Sequence, residues 1–178
     1  MKITKTTLGG IYVIDNIKFT DNRGSFVKIF NKDDFSDREL NFSFEEVYYS
    51  TSRKNVIRGM HFQLPPHDHE KLVHVIHGEV LDVVLDMRYE SPTFGECFSI
   101  NLSSDNGKSM YVSKGFAHGF LTLSESATVA YLTTTVQNSQ AESGVKWNSF
   151  GFNWPVRKKA ILSKRDLNLP IHKKYEMF

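Results

Sequence analysis

The sequence predicts an all-β protein, and three observations support that prediction. Apolar and polar residues alternate with period two through many short segments, which is typical of half-buried strands. Stretches rich in glycine, proline, asparagine and aspartate separate these segments at roughly even spacing. The 178 residues contain no repeat and suffice for one domain with a sizeable core. We therefore expect a single domain over residues 1–178, built as a sandwich, jelly roll or barrel.

The predicted strands follow one another along the chain. In the run 81–87, for example, four apolar side chains share one face, while Asp82 and Asp86 lie on the other. Strands are predicted at residues 11–20, 26–30, 44–50, 55–63, 71–77, 81–87, 96–102, 108–112, 118–123 and 128–135. Turns are predicted at residues 21–24, 64–66, 90–95 and 103–107. Asn31 is a candidate N-cap for one short helix over residues 32–40, which has two acidic residues in its first turn.

Composition and charge argue against several classes of function. The formal net charge of +2 is too small for a general nucleic-acid-binding protein. No stretch approaches the roughly 18 apolar residues of a membrane span, and the first residues lack the apolar core of a signal peptide. The lone Cys97 cannot form an internal disulfide, so no oxidising compartment is indicated. We expect a cytoplasmic protein that binds neither nucleic acid nor membrane.

Two histidine-containing segments carry most of the functional information. They are Arg58-Gly59-Met60-His61-Phe62-Gln63 and Gly115-Phe116-Ala117-His118-Gly119-Phe120. A histidine on a strand between small and aromatic neighbours suits a lined cavity inside a β fold better than an open surface. If the first segment is a regular strand, His61 and Gln63 point to one face and Arg58 points to the other.

Three further residues, Lys71, Tyr131 and Asp166, lie on segments that such a cavity can bring together with His61. A histidine with an ordinary pKa of about 6.5 is a suitable base at neutral pH, and a tyrosine with one of about 10 is a proton donor. On opposite faces of a substrate carbon, the two groups would remove a proton from one side and return one on the other, which inverts a stereocentre. Each of these residues, taken alone, also occurs in purely structural roles, so the prediction of a proton-transfer site depends on their combination.

The chain also contains a set of longer motifs. These are Asp21, Arg23-Gly24 and Phe26 near the start, then Lys71-Leu72-Val73, Gly78-Glu79-Val80, Asp82-Val83, Asp86-Met87-Arg88, Ser91-Pro92-Thr93-Phe94-Gly95, Gly144, Trp147, Trp154-Pro155 and Leu162-Ser163-Lys164-Arg165-Asp166. Together with the two histidine segments, they resemble the nucleotide-sugar 3,5-epimerases of the dTDP-4-dehydrorhamnose 3,5-epimerase type. The resemblance covers almost the whole chain.

The resemblance implies a fold, an assembly and a reaction. The implied fold is a cupin-type jelly roll, a double-stranded β-helix with short peripheral helices. The implied assembly is a homodimer whose N-terminal strands are exchanged and complete the partner's site. The implied reaction inverts C3, C5 or both in a nucleoside-diphosphate-linked 4-keto sugar through an enolate, without a metal or organic cofactor. The product would be a deoxysugar or heptose for a surface polysaccharide such as capsule or O-antigen.

The resemblance also implies roles for individual residues. His61 would be the general base, Asp166 the carboxylate that orients it, and Tyr131 the acid on the opposite face. Lys71 would stabilise the enolate oxygen. The implied substrate-binding residues, with the two arginines on the diphosphate, are Arg23, Phe26, Lys28, Glu46, Tyr48, Arg58, Gln63, His118, Glu142 and Lys164.

The nucleotide is a separate question, because thymidine-using members of the family carry a Gln-x-Asn pair that reads the thymine edge. This chain has Glu46 and Tyr48 at the corresponding places. An ionised glutamate only accepts hydrogen bonds, and guanine offers adjacent N–H donors while cytosine offers an exocyclic amine. Glu46 therefore favours GDP, and next CDP, over dTDP.

Two other functions are compatible with the sequence. In a metal-dependent cupin isomerase or oxygenase, His67, His69 and His118 would be ligands, since histidine suits iron, zinc or nickel. Against this, the first two histidines follow Pro65-Pro66 in a predicted turn, and Glu70 follows them directly. The other alternative is a sugar-binding cupin without catalysis.

Overall fold

Two antiparallel sheets contain most of the regular structure. The computed structural model describes residues 1–38, 40–41, 43–156 and 159–172. Within these residues the strands are β1 Lys2–Lys5, β2 Ile11–Asp15, β3 Ile17–Asp21, β4 Gly24–Lys28, β5 Glu46–Arg53, β6 Ile57–Gln63, β7 Lys71–His77, β8 Glu79–Asp86, β9 Cys97–Ser103, β10 Lys108–Val112, β11 Phe116–Thr122, β12 Ser126–Thr133 and β13 Glu142–Gly144, and the helices are α1 Lys32–Ser36 and α2 Lys164–Leu167. The first sheet has the order β1-β2-β10-β7-β12-β5, and the second has the order β13-β6-β11-β8-β9.

The main core lies between the two sheets. Alternate side chains of the central strands point into it, so that Val73 and Val75 of β7 pack in one cluster with Val84 of β8 and Phe120 of β11. These four side chains are at most 1% exposed. Each contributes roughly 1.5–3 kcal/mol of burial free energy, which holds the sheets face to face.

The outer face of the second sheet is covered by the C-terminal part of the chain. Val83 and Leu85 of β8 point away from the main core and pack with Met60 of β6 and with Trp154. The indole N–H of Trp154 donates to the carbonyl of Trp147 at 2.7 Å. This covering layer leads into α2, which packs against β6 and carries Asp166 to the sheet.

Most of the predicted strands are present within a few residues of their predicted bounds. The predicted run 11–20 is instead two strands, because the pairing changes at Asn16: β2 pairs with β1 and β10, whereas β3 pairs with β4. The side-chain amide of Asn16 donates to the carbonyl of Gly107 at 2.8 Å. Strands β1 and β13 were not predicted, since three or four residues show too little alternation to identify a strand.

The predicted short helix begins where expected. The side chain of Asn31 accepts a hydrogen bond from the N–H of Asp33 at 3.1 Å and caps α1. The helix ends at Ser36, four residues before its predicted end; residue 39 of the predicted helix lies outside the described residues. No helix in the described parts of the chain is long and apolar enough to cross a bilayer.

Strands β6 and β11 approach each other closely at two glycines. A Cβ atom on Gly119 would lie 2.6 Å from the carbonyl oxygen of Arg58, and one on Gly59 would lie 2.6 Å from the Cα of Gly119. Gly59 also has a φ of +121°, a conformation that side chains disfavour. Neither position can take a larger residue without moving the backbone.

The register between these two strands shifts beside the glycines. His118 pairs with His61, but Phe120 pairs with Arg58, so three steps along β6 match two along β11. Such a bulge rotates the side chains on one side of it relative to the other. The prediction that Arg58 and His61 point to opposite faces is therefore wrong, because the bulge directs both into the same cavity.

Strands β3 and β4 form a hairpin outside both sheets. Phe19 and Phe26 pair across it and are 65% and 58% exposed. At its base, the ammonium of Lys18 donates to the carbonyl oxygen of Ser104 at 2.9 Å. The hairpin is thus fixed at its base, while its aromatic pair is open to solvent.

Candidate active site

One cavity, of about 190 Å³, collects side chains from both sheets. Its lining residues are Glu46, Tyr48, Ser50, Arg58, His61, Phe62, Gln63, His69, Lys71, His118, Phe120, Tyr131, Gln137 and Glu142. Both histidine segments of the sequence meet here. We refer to this space as the cavity.

His61 of β6 is backed by a buried carboxylate. Its Nε2 lies 2.7 Å from Oδ1 of Asp166, whose side chain is 5% exposed. Ser163 caps α2 by accepting from the N–H of Asp166 at 3.0 Å, which fixes the position of the carboxylate. Burial alone would raise the pKa of Asp166, but the hydrogen bond and charge of His61 hold it below its ordinary value. An ionised Asp166 accepts a hydrogen bond from Nε2–H of His61, which leaves Nδ1 of His61 as the basic nitrogen.

Lys71 of β7 is a buried cation at the cavity. It is 8% exposed, and its Nζ donates to the carbonyl oxygen of His61 at 3.4 Å. Burial lowers the pKa of Lys71 to about 8, although the carboxylates of Glu142 and Asp82 act in the opposite direction. An ammonium in such poorly hydrated surroundings stabilises negative charge on a bound ligand strongly.

A second imidazole–carboxylate pair lies beside the first. Nε2 of His118 is 2.9 Å and 3.0 Å from the two carboxylate oxygens of Asp82, and both side chains are buried. His118 stands directly opposite His61 in the β6–β11 pair. Asp82 was not predicted as a site residue. The available signal was the alternation of β8, which puts Asp82 on the same face as Val84 of the main core.

Tyr131 of β12 reaches the cavity from the opposite sheet. It is 7% exposed, and burial, reinforced by the charge of Asp82, raises its pKa well above the ordinary value. The phenol therefore carries its proton at neutral pH. The ring of Tyr48 stacks on it, with centroids 4.9 Å apart and an interplanar angle of 19°. The ring of His118 meets it edge-on at 6.0 Å.

Hydrogen bonds and an ion pair hold the charged groups that line the cavity. Nε of Arg58 donates to Oγ of Ser52 at 2.9 Å. Oε2 of Glu46 accepts from the backbone N–H of Gln137 at 2.9 Å. The carboxylate of Glu142 pairs with the arginine of α2 at 2.8 Å. These contacts leave the guanidinium of Arg58 and the carboxylate of Glu46 with further hydrogen-bonding capacity for a ligand.

Four of the predicted substrate-binding residues lie outside the cavity of this chain. Arg23, Phe26 and Lys28 are on the β3–β4 hairpin, and Lys164 begins α2. The side chain of Arg23 is 86% exposed and pairs with the aspartate two residues before it. Every other predicted site residue lines the cavity or, in the case of Asp166, lies behind its histidine.

The three histidines of the metal-dependent alternative do not form a ligand set. Nε2 of His67 lies 3.1 Å from the amide nitrogen of Asn138, and His118 is bound to Asp82. His69 lines the cavity, and burial lowers its pKa to about 3. Among residues 1–38, 40–41, 43–156 and 159–172, no three His, Cys, Asp or Glu side chains are placed to hold a metal ion. The geometry therefore does not favour that alternative.

Comparison with known proteins shows the family of this chain. A family model described as dTDP-4-dehydrorhamnose 3,5-epimerase matches residues 5–174. The chain is 37% identical to the dTDP-4-dehydrorhamnose 3,5-epimerase of Salmonella typhimurium, over 96% of this chain and 95% of that protein. It is also 37% identical to the enzyme of that name from Escherichia coli K12, over 95% of this chain and 93% of that protein.

Solved structures give the same result. The dTDP-4-dehydrorhamnose 3,5-epimerase of Bacillus anthracis with TDP and PPi bound has a TM-score of 0.92 and 36% identity, over 96% of this chain and 99% of that one. The dTDP-6-deoxy-D-glucose-3,5-epimerase of Legionella pneumophila, in complex with dTDP-4-keto-L-rhamnose, has a TM-score of 0.89 and 32% identity, over 97% and 98%. The predicted jelly roll and the prediction of an epimerase are confirmed. The chain belongs to the dTDP-4-dehydrorhamnose 3,5-epimerase family.

Proposed function

We propose that the cavity inverts C3, C5 or both in a nucleoside-diphosphate-linked 4-keto sugar. The main support is that His61 and Tyr131 come from different sheets and line one cavity. A sugar ring bound between them presents one face to an imidazole and the other to a phenol. This is the arrangement that proton removal and return on opposite faces requires.

The reaction moves protons only. Nδ1 of His61 accepts the proton from a carbon beside the ketone, and the electron pair of that C–H bond moves to leave an enolate with its charge on the C4 oxygen. Asp166 stabilises the imidazolium, and Lys71 stabilises the enolate oxygen. Tyr131 then donates its proton to the other face of the carbon, and the ketone forms again. Exchange with water removes the proton from His61 and returns one to Tyr131.

The size of the cavity supports a position of the sugar in its interior. A volume of about 190 Å³ is below the roughly 300–1,000 Å³ of pockets that enclose a drug-sized ligand. We therefore place the sugar ring inside and the diphosphate and nucleoside across the mouth of the cavity. Arg58 has the guanidinium geometry that contacts two phosphate oxygens at once.

The first candidate nucleotide is dTDP, because the relatives are named for dTDP sugars and both solved structures described above hold TDP or a dTDP sugar. A specific residue supports a second candidate. Glu46 lines the cavity, and one of its carboxylate oxygens is used by Gln137. The other oxygen can accept hydrogen bonds from guanine, and next from cytosine, better than from thymine.

We also propose that two copies assemble into a homodimer. Strand β5 is an edge strand, and Val47 and Tyr49 on it are 68% and 71% exposed. An uncovered apolar edge of this kind favours pairing with another chain. The hairpin residues Arg23, Phe26 and Lys28 would then contact the nucleotide of the partner. Sedimentation velocity tests the dimer, and a monomer at all concentrations would contradict it.

The function is tested with dTDP-, GDP- and CDP-linked 4-keto-6-deoxy sugars in deuterium oxide, followed by NMR. We expect deuterium at C3 or C5 of at least one of them, and no exchange in any would refute the proposal. His61→Ala should slow exchange about 10²- to 10⁴-fold. His77→Ala, which changes an exposed histidine of β7, is the matched control.

A binding assay separates catalysis from simple sugar binding. Calorimetric titration of His61→Ala with the preferred nucleotide sugar should show retained affinity together with the lost exchange. If the wild type and His61→Ala both bind the nucleotide sugar and neither exchanges a proton, the alternative of a non-catalytic sugar-binding protein is favoured instead. Full exchange by His61→Ala would mean that His61 is not the base.

A further inference from the structure

The sheet places Tyr48 directly on the proposed acid. Tyr48 of β5 and Tyr131 of β12 are opposite each other in the antiparallel register. Their rings are stacked at 4.9 Å, and Tyr48 itself lines the cavity. Because β5 is the last strand of its sheet, Tyr48 is the side chain that covers the ring of Tyr131 on that side.

We infer that Tyr48 is a positioning residue for Tyr131, a role that rests on the proposed function and goes beyond the predicted contact of Tyr48 with substrate. Its ring fixes the plane of the phenol and therefore the direction in which the hydroxyl points at the bound sugar. It also keeps water away from that hydroxyl.

Two ring contacts hold Tyr131 between them. Tyr48 covers one face, and His118 contacts the ring edge-on. The charged or titratable groups that act on the phenol are Asp82, Arg58 and Tyr48. Since His118 is itself fixed by Asp82, removal of the Tyr48 ring frees the phenol on one side only. The loss of one aromatic contact corresponds to about a two- to tenfold change in rate if the ring misaligns.

The two proton transfers should respond differently to a change at Tyr48. Removal of the first proton depends on His61, on the opposite sheet, whereas inversion depends on Tyr131. Tyr48→Leu should therefore lower the rate of inversion about two- to tenfold while exchange with retention of configuration continues. Tyr48→Phe keeps the stacked ring and should lower the rate of inversion less than Tyr48→Leu does. Tyr89→Leu, at an exposed tyrosine after β8, is the control.

A double-mutant cycle tests whether Tyr48 acts through Tyr131. In a Tyr131→Phe background, Tyr48→Leu should cause no further loss of inversion. If Tyr48→Leu lowers exchange and inversion equally, or only raises KM, then Tyr48 contacts the substrate and the inference is wrong.

A measurement without substrate keeps this result distinct from failure of the proposed function. In protein labelled with ¹³C-tyrosine, the resonance of Tyr131 is the one lost in Tyr131→Phe. Its pKa should move toward the ordinary value in both variants, because each loses the charge interaction with the Tyr48 hydroxyl, and it should move further in Tyr48→Leu, which also loses the covering ring. Equal pKa values of Tyr131 in Tyr48→Leu and Tyr48→Phe overturn the inference whether or not any sugar is epimerised. A lowered pKa with no exchange on any sugar refutes the proposed function instead.

Discussion

Replacing Lys71 with methionine should make the protein more stable at neutral pH and much less active. Lys71 is 8% exposed, and burial lowers its pKa from 10.5 to about 8. The unfolded chain therefore holds the proton of this lysine more tightly than the folded protein does. The fall from 10.5 to about 8 corresponds to about 3 kcal/mol of lost stability wherever both states are protonated.

The pH dependence of this cost has a definite sign. Below about pH 8, Lys71 is charged in both states and the full cost applies. Between about pH 8 and 10.5 the folded state loses the proton first, so the cost falls as the pH rises, and above 10.5 it vanishes. The excess stability of Lys71→Met over the wild type should be about 3 kcal/mol at pH 7, about 2 at pH 9 and about 1 at pH 10.

Urea unfolding of both proteins at these three pH values, followed by tryptophan fluorescence, measures the difference. Lys5→Met, at an exposed lysine of β1, is the control and should show no such trend. Deuterium exchange should fall about 10²- to 10³-fold in Lys71→Met, because the enolate loses its cation. A difference in stability that is constant with pH, or a methionine variant less stable at pH 7, would refute the reasoning.

Three other changes follow from the site and the sheets. Asp166→Asn should slow deuterium exchange about 10²- to 10⁴-fold without abolishing nucleotide binding, as NMR and calorimetry can show; unchanged exchange would mean that the base needs no carboxylate. Gly119→Ala should cost about 1–3 kcal/mol in urea unfolding, because its Cβ would lie 2.6 Å from a carbonyl oxygen of β6. Gly9→Ala, whose Cβ would meet nothing within 4 Å, is its control, and equal stability of the two would contradict the packing argument. Burial alone would raise the pKa of Asp86, but its hydrogen bonds, above all from Arg88, hold it below the ordinary value. The stability it contributes is present above about pH 4 and lost as the pH falls further, so Asp86→Asn should flatten that part of an acid unfolding profile; an unchanged profile would count against this assignment.

The strands and the members of the cavity could be predicted from the sequence, because alternation and motif are local signals. The shared direction of the Arg58 and His61 side chains could not be predicted, because the bulge arises from a contact of β6 with β11 at two glycines. Asp82 and the Tyr48–Tyr131 stack were missed for the same reason: their partners lie on other strands.

The structure of one chain tests neither the predicted dimer nor the predicted cytoplasmic location. The hairpin residues Arg23, Phe26 and Lys28 lie outside the cavity, so their predicted contact with substrate now depends on the proposed dimer. The single domain over residues 1–178 and the cytoplasmic location stay predictions from composition.

The bulge in β6 sets a length as well as a direction. Because three residue steps along β6 match two along β11, Arg58 and His61 lie at a fixed separation along one wall of the cavity. In the proposed complex, Arg58 contacts phosphate oxygens and His61 contacts an acidic carbon. The spacing between the two residues therefore limits the length of the part of the ligand that lies between those groups. A chain with one residue fewer in the bulge would direct either Arg58 or His61 away from the cavity, and no side-chain substitution would restore the spacing.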